Sequence, residues 1–178
     1  MTSLLGISGS LRAASVNTQL VHAAAAAFEG ATLTMANLRL PLYDGDLEDR
    51  EGIPAEVATL AAQIAEADGI VISTPEYNKN LPGVLKNALD WVSRVPGGAF
   101  KDKPVAVLSA AAGRAGGERA QNSLRLCLQP LFPRVIPGPE VMVAAAHDAF
   151  DDTGGLKDER GQQMLAGLME ALRKEIAR

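Results

Sequence analysis

Cysteine is almost missing from this chain: Cys127 stands alone. That excludes a disulfide framework and a four-thiolate metal site, and a reducing compartment is the simplest setting. Positive charge is also in short supply. A formal net charge of -4 and a pI near 5.2 argue against nucleic acid as the main partner, since phosphate binding needs a positive surface. Long apolar runs are lacking too. Charged residues, Gly or Pro interrupt every stretch well before the roughly 18 residues of a membrane span, so no membrane partner is expected. The opening MTSLLGISGS has no basic segment, and its apolar run is too short for a signal peptide. The expected location is the cytoplasm. His22 and His147 have neither metal-ligand spacing nor a nearby nucleophile and read as surface or capping residues. Asp148, Asp151, Asp152 and Asp158 surround Thr153-Gly154-Gly155 without matching a calcium loop. They read as a solvated turn, and no metal site is expected.

What is present fits one globular domain spanning 1–178, with 47% hydrophobic and 21% charged residues. The chain alternates strand-like and helix-like segments. Ser3–Ser8, Ala31–Ala36, Gly69–Thr74, Pro104–Ser109 and, more weakly, Glu140–Ala144 read as strands. Gly69–Thr74 is β-branched and continuous, as a strand buried on both faces should be. Between them apolar residues recur at helical spacing. The stripes are Leu20, Val21, Ala24 and Phe28; then Ile53, Val57, Leu60, Ala61 and Ile64; then Leu85, Ala88, Leu89 and Val92. Two more follow: Ala120, Leu124, Cys127, Leu128 and Leu131, and finally Leu165, Leu168, Met169, Leu172 and Ile176. Cys127 on such a stripe reads as core. Asn37–Gly52 reads as a polar, proline-containing connection. Five strands alternating with five helices predict an α/β fold, a mostly parallel sheet with helices on both faces.

In open α/β sheets ligands bind beyond the carboxyl ends of the strands, where strand order reverses. Three loops there carry the least ordinary sequence. Gly9-Ser10-Leu11-Arg12-Ala13-Ala14-Ser15-Val16-Asn17 joins a buried strand to a helix start. Its hydroxyls, Arg and free amides suit a phosphate at the positive end of a helix dipole, although Ser and Asn also cap ordinary helices. The spacing is neither G-x-G-x-x-G nor a Walker A loop. Thr74-Pro75-Glu76-Tyr77-Asn78 offers backbone groups and an aromatic side chain to a flat heteroaromatic ring, and reads equally well as a helix-initiating loop. Farther along, Lys86, Asn87 and Asp90 are expected to anchor loop and helix, and Trp91 to be core or subunit interface. The third loop, Ala110–Arg119, is rich in Ala and Gly and lets another molecule approach its backbone closely.

Taken together, Gly9-Ser10-Leu11-Arg12-x-x-Ser15-x-Asn17, Pro75-Glu76-Tyr77-Asn78, Pro82-Gly83-x-Leu85-Lys86-Asn87-Ala88-x-Asp90-Trp91 and Gly113…Gly116-Gly117 resemble the NADPH-dependent FMN reductase family. The likeness leans toward the branch of bacterial chromate and quinone reductases and runs from the first strand to the last helix. It implies a flavodoxin-like three-layer sandwich with a five-stranded parallel sheet in the order 2-1-3-4-5. By position, Ser10, Leu11, Arg12, Ser15, Val16 and Asn17 form the FMN phosphate loop. Pro75, Glu76, Tyr77 and Asn78 line the isoalloxazine, and Ala110 and Gly113 close its other side. Relatives commonly carry a hydroxyl where this chain has Ala110, so only the backbone N–H is left there for the flavin. The implied activity is ping-pong transfer of hydride from NADPH or NADH to flavin N5. Electrons then pass to a quinone, flavin, azo compound or chromate. No side chain is expected to be catalytic, and Arg114 is a candidate for the nucleotide phosphate. A homodimer or homotetramer is implied, with FMN near the interface. The rival reading is a flavodoxin-type electron carrier, a monomer docking a protein partner through a strongly acidic face.

Overall fold

Side chains alternate faces along a strand, and here the alternation sorts the core into two halves. The computed structural model describes residues 1–178. In it, strands β1 (Thr2–Ser8), β3 (Gly69–Thr74) and β4 (Pro104–Ala110) are central. Leu5, Ile7, Ile70, Ile72, Val105 and Val107 point into one apolar cluster; Leu4, Val71, Ala106, Leu108 and Ala110 point into the other. Each half is closed by helices whose apolar stripes match. On the first side lie α3 (Ala55–Glu66), α4 (Gly83–Arg94) and α5 (Glu118–Leu128). On the second, α1 (Val16–Phe28) and α6 (Glu159–Ile176) pack together. Gly6 lets α1 close down on the sheet, since a Cβ there would stand 2.7 Å from Met35 Sδ and closer still to Val21.

The sheet order is β2-β1-β3-β4-β5, every pairing parallel, with β2 at Ala31–Met35. This is the flavodoxin-like arrangement expected. Strand order reverses beside β1, so the loops leaving β1, β3 and β4 meet at one edge.

Two elements differ from the expectation. The far edge consists of two short pieces, β5 (Arg134–Val135) and β6 (Val141–Val143), both paired with β4. Pro137 and Pro139 between them lack the N–H a ladder needs, which breaks the run and hides β5 from a reading by pattern. The Asn37–Gly52 connection contains a further helix, α2 (Gly45–Glu51). It buries no residue, so it has no apolar stripe to detect; the Asp44 cap, acidic first turn and Arg50 near its end hold it.

That connection is tied down by α4. Asn87 Oδ1 accepts from Tyr43 N–H at 2.8 Å, while Asn87 Nδ2 and Trp91 Nε1 donate to Pro41 O at 2.9 and 2.8 Å. Trp91 is fully buried and meets Tyr43 edge-on. Lys86 pairs with Asp90 at 2.6 Å. Asn87 anchors the loop as expected, Trp91 joins it from the core, and the Lys86–Asp90 pair lies within α4 and touches no loop. Cys127 is half-buried against the first core cluster.

Candidate active site

At the meeting point of the three loops is a cleft of ≈ 250 Å³. Its first wall is the β1–α1 loop. Ser15 caps α1, its Oγ accepting from the N–H groups of Asn17 (3.2 Å) and Thr18 (3.4 Å). The backbone N–H groups of Leu11, Ala13, Ala14, Ser15 and Val16 find no acceptor within the chain. The first turn of α1 carries no acidic residue, so the positive end of its dipole is not neutralised locally. Ser10, Arg12, Ala14, Ser15, Val16 and Asn17 line this wall. Such a concave row of N–H donors with a guanidinium and hydroxyls beside it fits an anion.

Asn17 behaves differently from its neighbours. It is 1% exposed, and its side chain is spent inside the protein. Oδ1 accepts from Ser73 Oγ–H (2.8 Å) and Ala110 N–H (3.1 Å), while Nδ2 donates to Ala110 O at 3.0 Å. One amide therefore clamps α1 to the ends of β3 and β4. The Ala110 N–H, expected to be available to a flavin, is already taken. The reason is geometric: Asn17, at the start of α1, reaches both backbone groups of Ala110 at the end of β4.

The second wall is the β3–α4 loop, which contributes Pro75, Glu76 and Tyr77. Tyr77 and Asn80 exchange backbone hydrogen bonds at 3.0 and 3.1 Å around Asn78 and Lys79, which both have positive φ. This is the two-residue turn that asparagine tolerates well. The Tyr77 amide is thus used within the turn, while the N–H groups of Glu76 and Asn78 have no acceptor in the chain. Glu76 Oε2 accepts from Arg119 N–H at 3.1 Å, and its Oε1 lies 3.6 Å from the Arg119 guanidinium. That pairing ties the second loop to the start of α5.

The third wall is Ala110, Ala111 and Ala112. Beyond it the loop doubles back over β4. Ser109 Oγ donates to Gly116 O at 2.5 Å, and the fully buried Gln121 donates to Ser109 Oγ (2.9 Å) and Val141 O (2.7 Å). Leu11, Asn78, Gly113 and Arg114 are exposed on these same loops and do not line the cleft. Two lining residues come from outside the expected loops: Ala146 and His147, on the turn after β6. No motif marks them in the sequence.

A larger cleft, ≈ 920 Å³, lies on the other side of that turn, between β6 and α6. Size does not make it the better candidate. It flanks the sheet edge away from the switch point, and none of the expected site residues line it.

A family model described as NADPH-dependent FMN reductase matches residues 2–148, a span that takes in all four segments of the smaller cleft. The chain belongs to that family. Family members use FMN with a reduced nicotinamide nucleotide as electron donor, and this chain is accordingly a flavin-dependent NAD(P)H oxidoreductase. Relatives agree over most of the length. An NAD(P)H-dependent FMN reductase of Pseudomonas aeruginosa is 40% identical over 98% of this chain and 95% of its own. A quinone reductase of Escherichia coli is 43% identical over 78% of this chain and 74% of its own. Among solved structures, the flavoenzyme NAD(P)H:acceptor oxidoreductase of Paracoccus denitrificans superposes with a TM-score of 0.89 at 30% identity, covering 99% of this chain and 98% of the other. The FMN reductase fold here contains no helix long and apolar enough to cross a membrane.

Proposed function

We propose that the smaller cleft holds FMN, with the phosphate at the start of α1 and the ring between the Pro75–Asn78 and Ala110–Gly113 loops, and that electrons pass from NADPH or NADH to a small acceptor. The observation that carries this reading is the row of open backbone N–H groups at positions 11 and 13–16 beside Ser10, Ser15 and Arg12, continued by an alanine-walled slot. FMN, when bound, supplies hydride acceptance and onward electron delivery. The protein's part is to bind and orient. Ser10 and Arg12 donate to the phosphate, and Asn17 fixes the loop that carries them. Pro75 and the three alanines give a flat, unreactive surface, and the Glu76 and Asn78 N–H groups serve the ring's polar edge. Arg114, exposed on the third loop, is the proposed contact for a nucleotide phosphate.

Quinones are the favoured acceptor class, since one of the relatives is a quinone reductase; free flavins, azo compounds and chromate fit the same alanine-walled slot. Self-association as a homodimer or homotetramer is supported by exposed Leu11 and Tyr77 on the loops around the cleft and by exposed Leu42 on the connection held by α4. The single cysteine supports a cytoplasmic location.

The test is anaerobic mixing of the flavin-loaded chain with NADPH and, separately, NADH. Rapid bleaching of the flavin, reversed by a quinone, is the expected result. Bleaching that requires an added partner protein would instead identify an electron carrier. Replacement Arg12→Ala is expected to weaken FMN binding by about 1.5–3 kcal/mol, the scale of a hydrogen bond to a charged group, or on the order of 10- to 100-fold. Equilibrium release of flavin on dilution measures it, and an unchanged affinity places Arg12 off the phosphate.

A further inference from the structure

His147 has no part in the site as read so far, yet the fold delivers it to the phosphate end of the cleft. Ala111 N–H donates to Val143 O (3.0 Å), and Ala146 N–H donates to Ala111 O (3.1 Å). These bonds lock the turn after β6 against the end of β4. His147 then lines the cleft with Ser10, Arg12 and Ser15, and also lines an adjoining polar cleft of ≈ 410 Å³ with Arg12, Gln19 and Asp151. Arg12 and His147 are the basic side chains common to both clefts. They come from different loops and flank the same row of open N–H groups at the start of α1. His147 is exposed at the mouth of the two clefts.

We propose that His147 is a second ligand of the FMN phosphate, placed with Arg12 around it and engaged when its imidazole is protonated. This rests on the reading that the Ser10–Asn17 loop holds that phosphate. The carboxylates facing the region have partners within the chain. Asp148 pairs with Lys157 at 2.6 Å, and that hydrogen bond holds its carboxyl below the ordinary range. Asp151 Oδ1 accepts from Thr153 N–H, Thr153 Oγ–H and Gly155 N–H. Glu76 is tied to Arg119. An imidazolium at position 147 is therefore shared between the phosphate and the nearby Asp148 and Asp151 carboxylates, which keep their charge.

Imidazole is the side chain that gains its charge between about pH 5 and 8. A phosphate beside it favours the charged form, so binding and protonation assist each other. The sign follows: FMN affinity rises as pH falls through that window, and the rise is lost when His147 is replaced. The comparison stays above about pH 6.5, because the phosphate itself starts to lose charge near pH 6.

The experiment dilutes the FMN-loaded full chain and reads the released flavin by its fluorescence, at about pH 8 and about pH 6.5, for wild type, His147→Gln and Arg12→Ala. Riboflavin, which lacks the phosphate, is run in parallel. Wild type should gain about 1.5- to 3-fold in FMN affinity over His147→Gln on going to the lower pH, the size of a solvent-exposed ion pair with a partly protonated imidazole, and should gain nothing with riboflavin. A His147→Gln variant that follows the wild-type pH profile, or an equal shift with riboflavin, overturns the proposal while leaving the site reading intact if Arg12→Ala still weakens FMN. Equal FMN affinity of wild type and Arg12→Ala overturns the phosphate reading, and the role of His147 with it.

Discussion

Replacing Asn17 with Ala should destabilise the protein by about 3–5 kcal/mol and remove measurable FMN retention in the same step. The size comes from what the amide leaves behind. Ser73 is fully buried, Asn17 and Ala110 are 1% exposed, and three hydrogen bonds converge on the one side chain. Truncation strands the Ser73 hydroxyl, the Ala110 N–H and the Ala110 carbonyl where water cannot reach them easily. Each buried polar group left without a partner costs about 1–3 kcal/mol. Losing the clamp also frees the start of α1 from β3 and β4, so the row of N–H donors loses its fixed spacing. Chemical denaturation of wild type and variant measures the first effect, and flavin release on dilution measures the second. A loss under about 1 kcal/mol would mean that the surroundings satisfy the stranded groups unaided, and the clamp would be refuted.

Gly116→Ala is the second large effect, at about 3 kcal/mol. Its φ of +59° costs an L-residue roughly 1–2 kcal/mol. The new Cβ would stand 2.7 Å from the Met142 carbonyl carbon and 2.9 Å from its oxygen, a contact with backbone rather than a yielding side chain. Overpacking of that kind adds about 1–3 kcal/mol. The loop that folds back over Ser109 has to move, and the alanine wall of the cleft moves with it. Gly113→Ala supplies the control from the same loop: its φ is ordinary and a Cβ there meets nothing within 4 Å. Comparable melting temperatures for the two variants would show that the loop tolerates displacement.

These two residues show where a sequence is readable and where it is not. Gly69–Thr74 could be placed to the residue because an unbroken β-branched run has few alternatives to a buried strand. The helices with stripes were legible for the same reason, whereas α2 buries nothing and so leaves no periodic trace. The Ser10–Asn17 loop suggested an anion site through residue type alone, beside the plainer reading of a capped helix start. Whether Asn17 faced the ligand or the interior depended on Ser73 and Ala110, far along the chain, and no local pattern encodes that. Ala146 and His147 were invisible for a similar reason: a turn reaches the cleft only through backbone bonds to Ala111. The Gly-rich third loop suggested close approach by another molecule. Gly116 and Gly117 instead admit the protein's own Met142 and Ser109.

The split far edge of the sheet has a consequence for behaviour at high concentration. An intact, unpaired strand offers a ladder onto which a neighbouring chain can zip, the usual start of ordered aggregation. Here the ladder has two rungs' worth of strand at Arg134–Val135, three residues at Val141–Val143, and between them a stretch with prolines at 137 and 139. No five-residue segment of that edge can present a continuous row of donors. Growth by sheet extension is therefore hindered on this side, and the edge left with an unbroken ladder is the opposite one, the five residues of β2 at Ala31–Met35.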